Sequence, residues 1–352
     1  MNVNDKILIC YSEPTKFYNN YLGKDVSDSK ENVDLSESEF STLLVLLENS
    51  LKEHFFNVES FGVGPNIRKL IDKIYEYSPD VIFNFVESVE GNANLESYVA
   101  GVYEILGVQY TGNSALALGN CLIKSRTKQI LQSYGIKTPE YMIVTPNSLP
   151  SRDGFTLKFP VIVKLLREDA SIGISEFSVA NDFDSALKRI KYLLENYKQE
   201  ILVEEYIDGR ELNVSILGGK VLPISEITFD GLPKAFPKIV TYEAKWSPES
   251  IYYKNTIPKC PAIISDNIRE RIEKTALEAF NAMDCRDYAR VDVRLSKRNV
   301  PYVIEVNPNP DISPDAGFVR SAQAAGYSYS ELLKLIASFA LKRKNYDTQA
   351  AV

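Results

Sequence analysis

Along the first third of the chain, unbroken apolar runs alternate with segments of helical spacing. KILICY (residues 6–11) and DVIFNFVES (80–88) carry their apolar residues consecutively, as strands buried on both faces do. VESFGV (58–63) reads as a strand between them. STLLVLLENSLKEHFF repeats its apolar positions at helical spacing, Pro65 opens a helix through Tyr77, and NLESYVAGVYEIL reads as another. Strands alternating with helices predict an N-terminal parallel α/β domain over residues 1–113.

The pattern then changes. A helix over 122–134 is closed by Gly135. TPEYMIV, FPVIVKLL, SVAN, a helix over 184–196 and ILVEEYI follow, predicting a small central α+β domain over 114–206. Residues 207–345 are rich in strands, with helices expected at 268–283 and 330–341, and form a C-terminal mixed-sheet domain. The tail, KRKNYDTQAAV, is expected to fray, with 346–352 outside any domain.

Polar residues interrupt this pattern in a few places. In RDYARVDVRLSKRNVPYVIEVNPN, strand alternation puts Arg290, Asp292 and Arg294 on one face, and Glu305 and Asn307 on one face of the next strand. A four-residue loop over 297–300 sets Ser296 opposite Pro301, Asp292 opposite Glu305 and Arg290 opposite Asn307. Directly opposed carboxylates repel, so the pair needs a cation. Oxygen donors in an open site suit Mg²⁺, while a solvated sheet face neutralised by Arg290 is the alternative reading.

Lys164 ends an apolar strand, where an ammonium needs a partner. The small-residue loop after it (169–175, with Ser171, Gly173 and Ser175) suits either an anion-binding turn or a plain hairpin. In ILVEEYIDGRELNVSIL, Glu204 is embedded among apolar residues on a strand edge that can offer backbone groups to a flat base, with Glu211 available to ribose hydroxyls. An ordinary edge strand fits the same residues. Lys245, in TYEAKW, is expected on a loop.

Composition removes whole classes of function. The chain has 352 residues, a net charge of −7 and a pI of about 5.1, with no long basic run, which argues against nucleic acid and anionic membranes as partners. No apolar run approaches a membrane span, and MNVNDKILIC has no signal-peptide pattern. Four dispersed cysteines without a CxxC pair point to reduced thiols and a cytoplasmic location. His54, the only histidine, sits in an amphipathic helix, so the chemistry must rest on carboxylates, lysines, arginines and backbone amides.

In their joint order, these segments resemble the ATP-grasp superfamily, and within it the D-alanine–D-alanine ligase-like carboxylate–amine ligases. The stretches that carry the resemblance are GVQYTGNSALAL, KSRTKQIL, GIKTP, FPVIVKLLREDASIGIS, ILVEEYIDGRELNVSILGG, YEAKW, ARVDVRL, VIEVNPNP and AAGYSYSELL. The resemblance implies the three-domain ATP-grasp fold, α/β and α+β, with ATP held between two sheets. By position, Lys124 and Lys164 would contact phosphates, with the 169–175 loop and Ser171 closing over them. Glu204, Glu205, Tyr206 and Ile207 would line the adenine, and Glu211 the ribose. Lys245 would reach the γ-phosphate, and Arg290 would face the reacting carbonyl. Asp292, Glu305 and Asn307 would hold magnesium, as two ions, with Mn²⁺ as a substitute. The implied partners are small amino-acid or peptide-like substrates, and related ligases are often homodimers.

Departures cluster where the family binds substrates. A histidine usual in the segment matching FNFVESVEGNANLES is absent, leaving Glu87 and Glu90 as the polar candidates. Trp246 replaces a tyrosine, Asp311 a glycine and Ala316 a serine. Asp311 and Asp315 are therefore expected either to meet a cationic group of the nucleophilic substrate or, for Asp311, to cap a turn. Three functions remain open: a ligase forming an amide between two amino-acid-type substrates through an acylphosphate, a D-alanine–D-alanine ligase proper, and a kinase-like nucleotide-binding relative that makes no amide.

Overall fold

The computed structural model describes residues 2–13, 32–168 and 171–350. Strands β1 (Lys6–Ser12), β2 (Asn57–Val63) and β3 (Val81–Phe85) form a parallel sheet in the order β2-β1-β3. Helices α1 (Asn32–Lys52), α2 (Ile67–Tyr77) and α3 (Glu96–Ile105) make the connections. Both faces of β1 are buried, which accounts for its unbroken apolar run. Leu8 and Cys10 pack with Leu70, Ile74 and Tyr103, while Ile7 and Ile9 pack with Leu47, Leu51 and Phe55.

Helices α4 (Ala115–Leu122) and α5 (Lys124–Ser133) follow. Ser114 caps α4 by accepting from the Ala117 amide at 3.2 Å. The second sheet contains β4 (Tyr141–Val144), β5 (Val161–Leu165), β6 (Val179–Ala180) and β7 (Ile201–Glu205), antiparallel in the order β4-β7-β5-β6. Helix α6 (Phe183–Tyr197) covers one face, where Val161, Val163, Leu165, Ile201 and Val203 meet Ala186, Ile190 and Leu193. Strand alternation therefore puts Lys164 and Glu204 on the other face.

The third sheet is antiparallel, in the order β11-β10-β8-β12-β13 with β9 on β8. In chain order its parts are β8 (Gly209–Leu217), β9 (Lys220–Val221), β10 (Ser225–Thr228), short helices α7 (Tyr242–Trp246) and α8 (Ile251–Asn255), β11 (Ile257–Lys259), α9 (Asp266–Ala282), β12 (Tyr288–Ser296) and β13 (Pro301–Asn307). Helices α10 (Gly317–Ala324) and α11 (Tyr329–Ala350) end the chain. Leu212, Val214, Ile216, Val291, Val293 and Leu295 pack on α9, so Glu211, Asn213, Arg290, Asp292 and Arg294 face the second sheet.

Gly209 joins the second and third sheets and pairs with Ser296. A Cβ there would overlap the Leu295 carbonyl, lying 2.8 Å from its carbon. Because rigid backbone stands in the way, Gly209→Ala should cost about 1–3 kcal/mol of stability. Urea denaturation checks this, and an unchanged midpoint would show that the hairpin shifts freely.

Three sequence expectations need correction. The KRK segment does not fray: α11 runs on through it, with Arg343 paired to Asp287 and Lys344 to Asp80. Its Ile336, Ala337 and Ala340 return to cover the first sheet. Lys245 lies on α7, not on a loop. The hairpin register holds for Asp292 opposite Glu305 and Arg290 opposite Asn307, but Leu295, not Ser296, pairs with Pro301. A bulge after Asp292 absorbs the extra residue, Ile304, and the turn is one residue longer.

Gly112 and Asn113 tie the first sheet to the third. The Gly112 amide donates to Asp287 at 2.9 Å, and Asn113 Nδ2 donates to the Tyr288 carbonyl at 2.8 Å and to that of Pro308. Gly112 has φ 85°, and a Cβ there would collide with Asn309, so the turn that steadies the end of β13 requires glycine. Among the described residues, no helix is long and apolar enough to cross a membrane.

Candidate active site

The polar faces of the second and third sheets enclose a cavity of ≈ 360 Å³. Lys124, Lys164, Ser171, Glu204, Glu205, Tyr206, Ile207, Glu211, Lys245, Arg290, Asp292, Glu305 and Asn307 all line it. Glu87, Glu90, Trp246, Asp311 and Asp315 do not.

Buried Glu204 is held between two lysines. Its carboxylate lies 2.5 Å from Lys164 Nζ and 2.7 Å from Lys128 Nζ, and Lys128 also donates to Thr138 Oγ1 at 2.7 Å. Burial pushes the Glu204 carboxyl up, but Lys128 and Lys164 outweigh it and hold the group below the usual carboxylate range. Burial lowers the Lys128 ammonium, and Glu204 only partly restores it. Lys128 had no place in the sequence reading, although it lies one helical turn beyond Lys124 in KSRTK.

Lys124 bridges the two sheets. It begins α5, donates to the Glu168 carbonyl at 2.6 Å and pairs with Glu305 at 2.8 Å. An ammonium at a helix N-terminus faces the positive end of the dipole, so Glu305 is needed there. Burial raises the Glu305 carboxyl, but Lys124 and Lys164 bring it down to about 2. It is therefore an anion throughout the neutral range.

Asp292 is enclosed by donors. Arg290 forks onto it from the same strand, Nε to Oδ1 at 2.8 Å and Nη2 to Oδ2 at 2.9 Å. Asn213 Nδ2 reaches Oδ1 at 2.7 Å, and Asn307 Nδ2 reaches Oδ2 at 3.0 Å. Burial opposes the charge on Arg290, and Asp292 more than compensates, raising its pKa. Asp292, Glu305 and the Asn307 amide offer only hard oxygen atoms, and cationic groups now cover both carboxylates. The set fits a magnesium-like cation, which would take over part of that neutralisation.

Arg294 orders the other end of β12. It donates from Nε to the Ile207 carbonyl at 3.0 Å, from Nη1 to Glu211 at 2.9 Å and from Nη2 to the Tyr206 hydroxyl at 2.9 Å. Burial raises the Glu211 carboxyl, and Arg294 partly offsets it. The expected edge strand at Glu204 is instead an inner strand, because β7 lies between β4 and β5. Beyond it the Tyr206 amide donates to the Pro160 carbonyl at 2.9 Å, and the Glu205 side chain turns away to accept from the Lys158 amide at 3.0 Å.

Of the 169–175 loop, Asp169 and Ala170 lie outside the described residues. Ser171 adopts φ 62°, a left-handed conformation uncommon for serine. Arg189 Nη2 holds the Gly173 carbonyl at 2.6 Å, and the Tyr242 amide donates to the Ile174 carbonyl at 3.0 Å. The loop is thereby joined to the first turn of α7, the helix of Lys245.

The substrate candidates are scattered. Glu87 and exposed Glu90 follow β3, and Glu90 has φ 50° in a tight turn. Trp246 is 60% exposed and tilts against Tyr242. Asp311 Oδ1 accepts from the Ser313 amide at 2.8 Å and hydroxyl at 2.6 Å, the turn-capping alternative. Asp315 gives its carbonyl to Arg320, another cavity residue that the sequence reading missed.

Residues 130–338 match the family model described as D-ala D-ala ligase C-terminus. An uncharacterised protein of Sinorhizobium fredii is 33% identical over 263 residues, 75% of each chain. D-alanine–D-alanine ligase A of Bacillus cereus is 32% identical over 275 residues, covering 78% of this chain and 85% of that protein. The fold aligns with the crystal structure of D-alanine–D-alanine ligase from Bacillus anthracis complexed with ATP, at a TM-score of 0.73 and 24% identity over 98% of this chain and 99% of that one. With the family model spanning more than half of it and relatives above 30% identity over three quarters, the chain belongs to the D-alanine–D-alanine ligase family, on the ATP-grasp fold.

Proposed function

We propose that the protein is an ATP-dependent carboxylate–amine ligase that joins two amino-acid-type substrates and releases ADP and phosphate. The observation that carries this reading is the cavity between the second and third sheets, in which phosphate-type lysines, a closing loop and a carboxylate pair with Arg290 meet. Lys124, Lys164 and Lys245 neutralise the triphosphate, and Glu204 to Ile207 receive the base, with Glu211 on the ribose. The acid's carboxylate oxygen attacks the γ-phosphorus, ADP leaves, and an acylphosphate forms. The amine then attacks the acyl carbon, loses a proton, and expels phosphate to leave an amide.

Phosphoryl transfer of this kind depends on positioning and charge neutralisation, which suits a site without histidine. Asp292, Glu305 and Asn307 would hold two magnesium ions, which would supply further neutralisation of phosphate charge. The Ser171 loop excludes water from the acylphosphate. Arg290 offers its guanidinium to the oxyanion of the tetrahedral intermediate. The protein acts in the cytoplasm, as a homodimer.

The test measures phosphate release from ATP and Mg²⁺ with pairs of L- and D-amino acids, with products read by mass spectrometry. D-alanine on both sides heads the panel, since it is in the relatives' names. An amide product together with ADP is expected, and removing divalent ions with EDTA should abolish both. A phosphorylated acid with no amide from any pair would reject the ligase in favour of the kinase-like alternative.

A further inference from the structure

A second cavity, of ≈ 580 Å³, lies outside the ATP site, and the two share no lining residue. Its wall forms where three parts of the chain meet: the end of α3 with the loop after it, the approach to β12, and α11. Two side chains of opposite charge, Glu104 and Arg286, stand on this wall. Among the described residues, neither forms an ion pair.

Tyr110 fixes both of them. Its ring carries the Arg286 guanidinium, 4.8 Å from the ring centroid, and its hydroxyl donates to Glu104 Oε1 at 2.6 Å. The Ala115 amide donates to the same oxygen at 3.1 Å, which leaves Oε2 to accept. Arg286 Nε donates to the Gly112 carbonyl at 2.9 Å, which leaves the end-on fork of Nη1 and Nη2. The neighbouring carboxylate, Asp287, is already taken by Arg343 and the Gly112 amide. Arg343 lines the cavity too, and its Nε is buried without a partner. A buried donor in that state calls for an acceptor from outside the chain.

We infer that this cavity binds a zwitterion, a free amino acid or a short peptide, apart from the reaction centre. The ligand's carboxylate takes the Arg286 fork through two parallel N–H bonds, and its ammonium donates to Glu104 Oε2. A lone anion would meet the Glu104 charge, and a lone cation the Arg286 charge, so only a molecule carrying both signs satisfies the pair. The cavity falls within the usual size of small-ligand sites, about 300–1,000 Å³. The inference concerns binding alone and stands without the ligase reading.

The test titrates D-alanine, L-alanine, alanylalanine, acetate and ethylamine into the protein without ATP, by calorimetry, with wild type, Glu104→Gln and Arg286→Met. Glu104→Gln keeps an acceptor for Tyr110 and the Ala115 amide but puts a donor in place of Oε2, so the wall stays folded. Arg286→Met also releases the Gly112 carbonyl, so its melting temperature is measured alongside. The wild type should show a binding event for alanine or alanylalanine that weakens by about tenfold or more in each variant, and acetate and ethylamine should not reproduce it. Neither substitution touches the ATP cavity, so any binding at the reaction centre should persist in both variants. The tighter of alanine and alanylalanine tells a free amino acid from a peptide. Isotherms unchanged in Glu104→Gln, or acetate binding as tightly as the zwitterions, overturn the inference and leave the proposed ligase activity standing. A wild type that takes up none of these ligands overturns it as well.

Discussion

Glu204→Gln should destabilise the nucleotide-free protein by about 3–5 kcal/mol, because breaking a buried ion pair strands its partner charges. Two ammoniums, Lys128 and Lys164, depend on this one carboxylate. A glutamine oxygen can accept from one of them, but its NH₂ then meets the other donor. The dependence on pH separates this from a packing defect. The Glu204 carboxyl is held below its usual value, so its stabilising contribution is complete above the ordinary glutamate range of about 4.3 and is lost as pH falls through the folded value. Lys128 is pushed below its usual value, so its charge penalises the fold at low pH, and the penalty is relieved as pH rises toward about 10.4. The gap between variant and wild type should therefore be widest near neutral pH and narrow on both sides. Urea titrations across pH check this, and a gap below about 1 kcal/mol at pH 7, or one that does not vary with pH, would mean that the triad is not electrostatic.

The two-residue period of the strands made much of this site legible. Once β12 and β13 were recognised, alternation alone put Arg290 and Asp292 on the face shared with Glu305 and Asn307. The pairing came out right despite a misplaced turn, because the bulge falls after Asp292 and leaves the functional register beyond it untouched. Lys164 stood out because a charge ending an apolar strand requires a partner, but its partner, Glu204, lies on another strand and became visible only with the sheet order. Lys128 and Asn213 share faces with residues that were recognised, so helical and strand spacing held a signal for them, and Arg294 stood on the recognised face without a role. Arg320 left none, since its place depends on a side chain folding back over its own helix. The KRK segment reads as a polar tail because its acidic partners, Asp80 and Asp287, lie far away in sequence.

Arg290→Met should lower kcat by about 10²–10³-fold, equivalent to about 2.7–4 kcal/mol, the usual cost of removing one oxyanion donor. The guanidinium is well placed for this, since its fork on Asp292 fixes both Nε and Nη2 and leaves Nη1 as the remaining terminus. The side chain is thus ordered before substrate arrives and needs little reorganisation during reaction. Arg290→Lys keeps a charge but cannot reproduce the two-point fork, so it should recover only part of the loss. Trapping with hydroxylamine tells which step depends on the residue, because it converts an acylphosphate to a hydroxamate without the amine substrate. If Arg290 acts on acyl transfer, hydroxamate should form at close to the wild-type rate while the amide falls. Loss of both would move Arg290 to the phosphoryl step, where it would serve through Asp292 and the cation held there. A kcat within about threefold of wild type, well under the single-donor effect, would remove it from the chemistry altogether. Asp292 would then keep only its contacts with Asn213 and Asn307, and the stability of the variant would measure what the fork contributes to the fold.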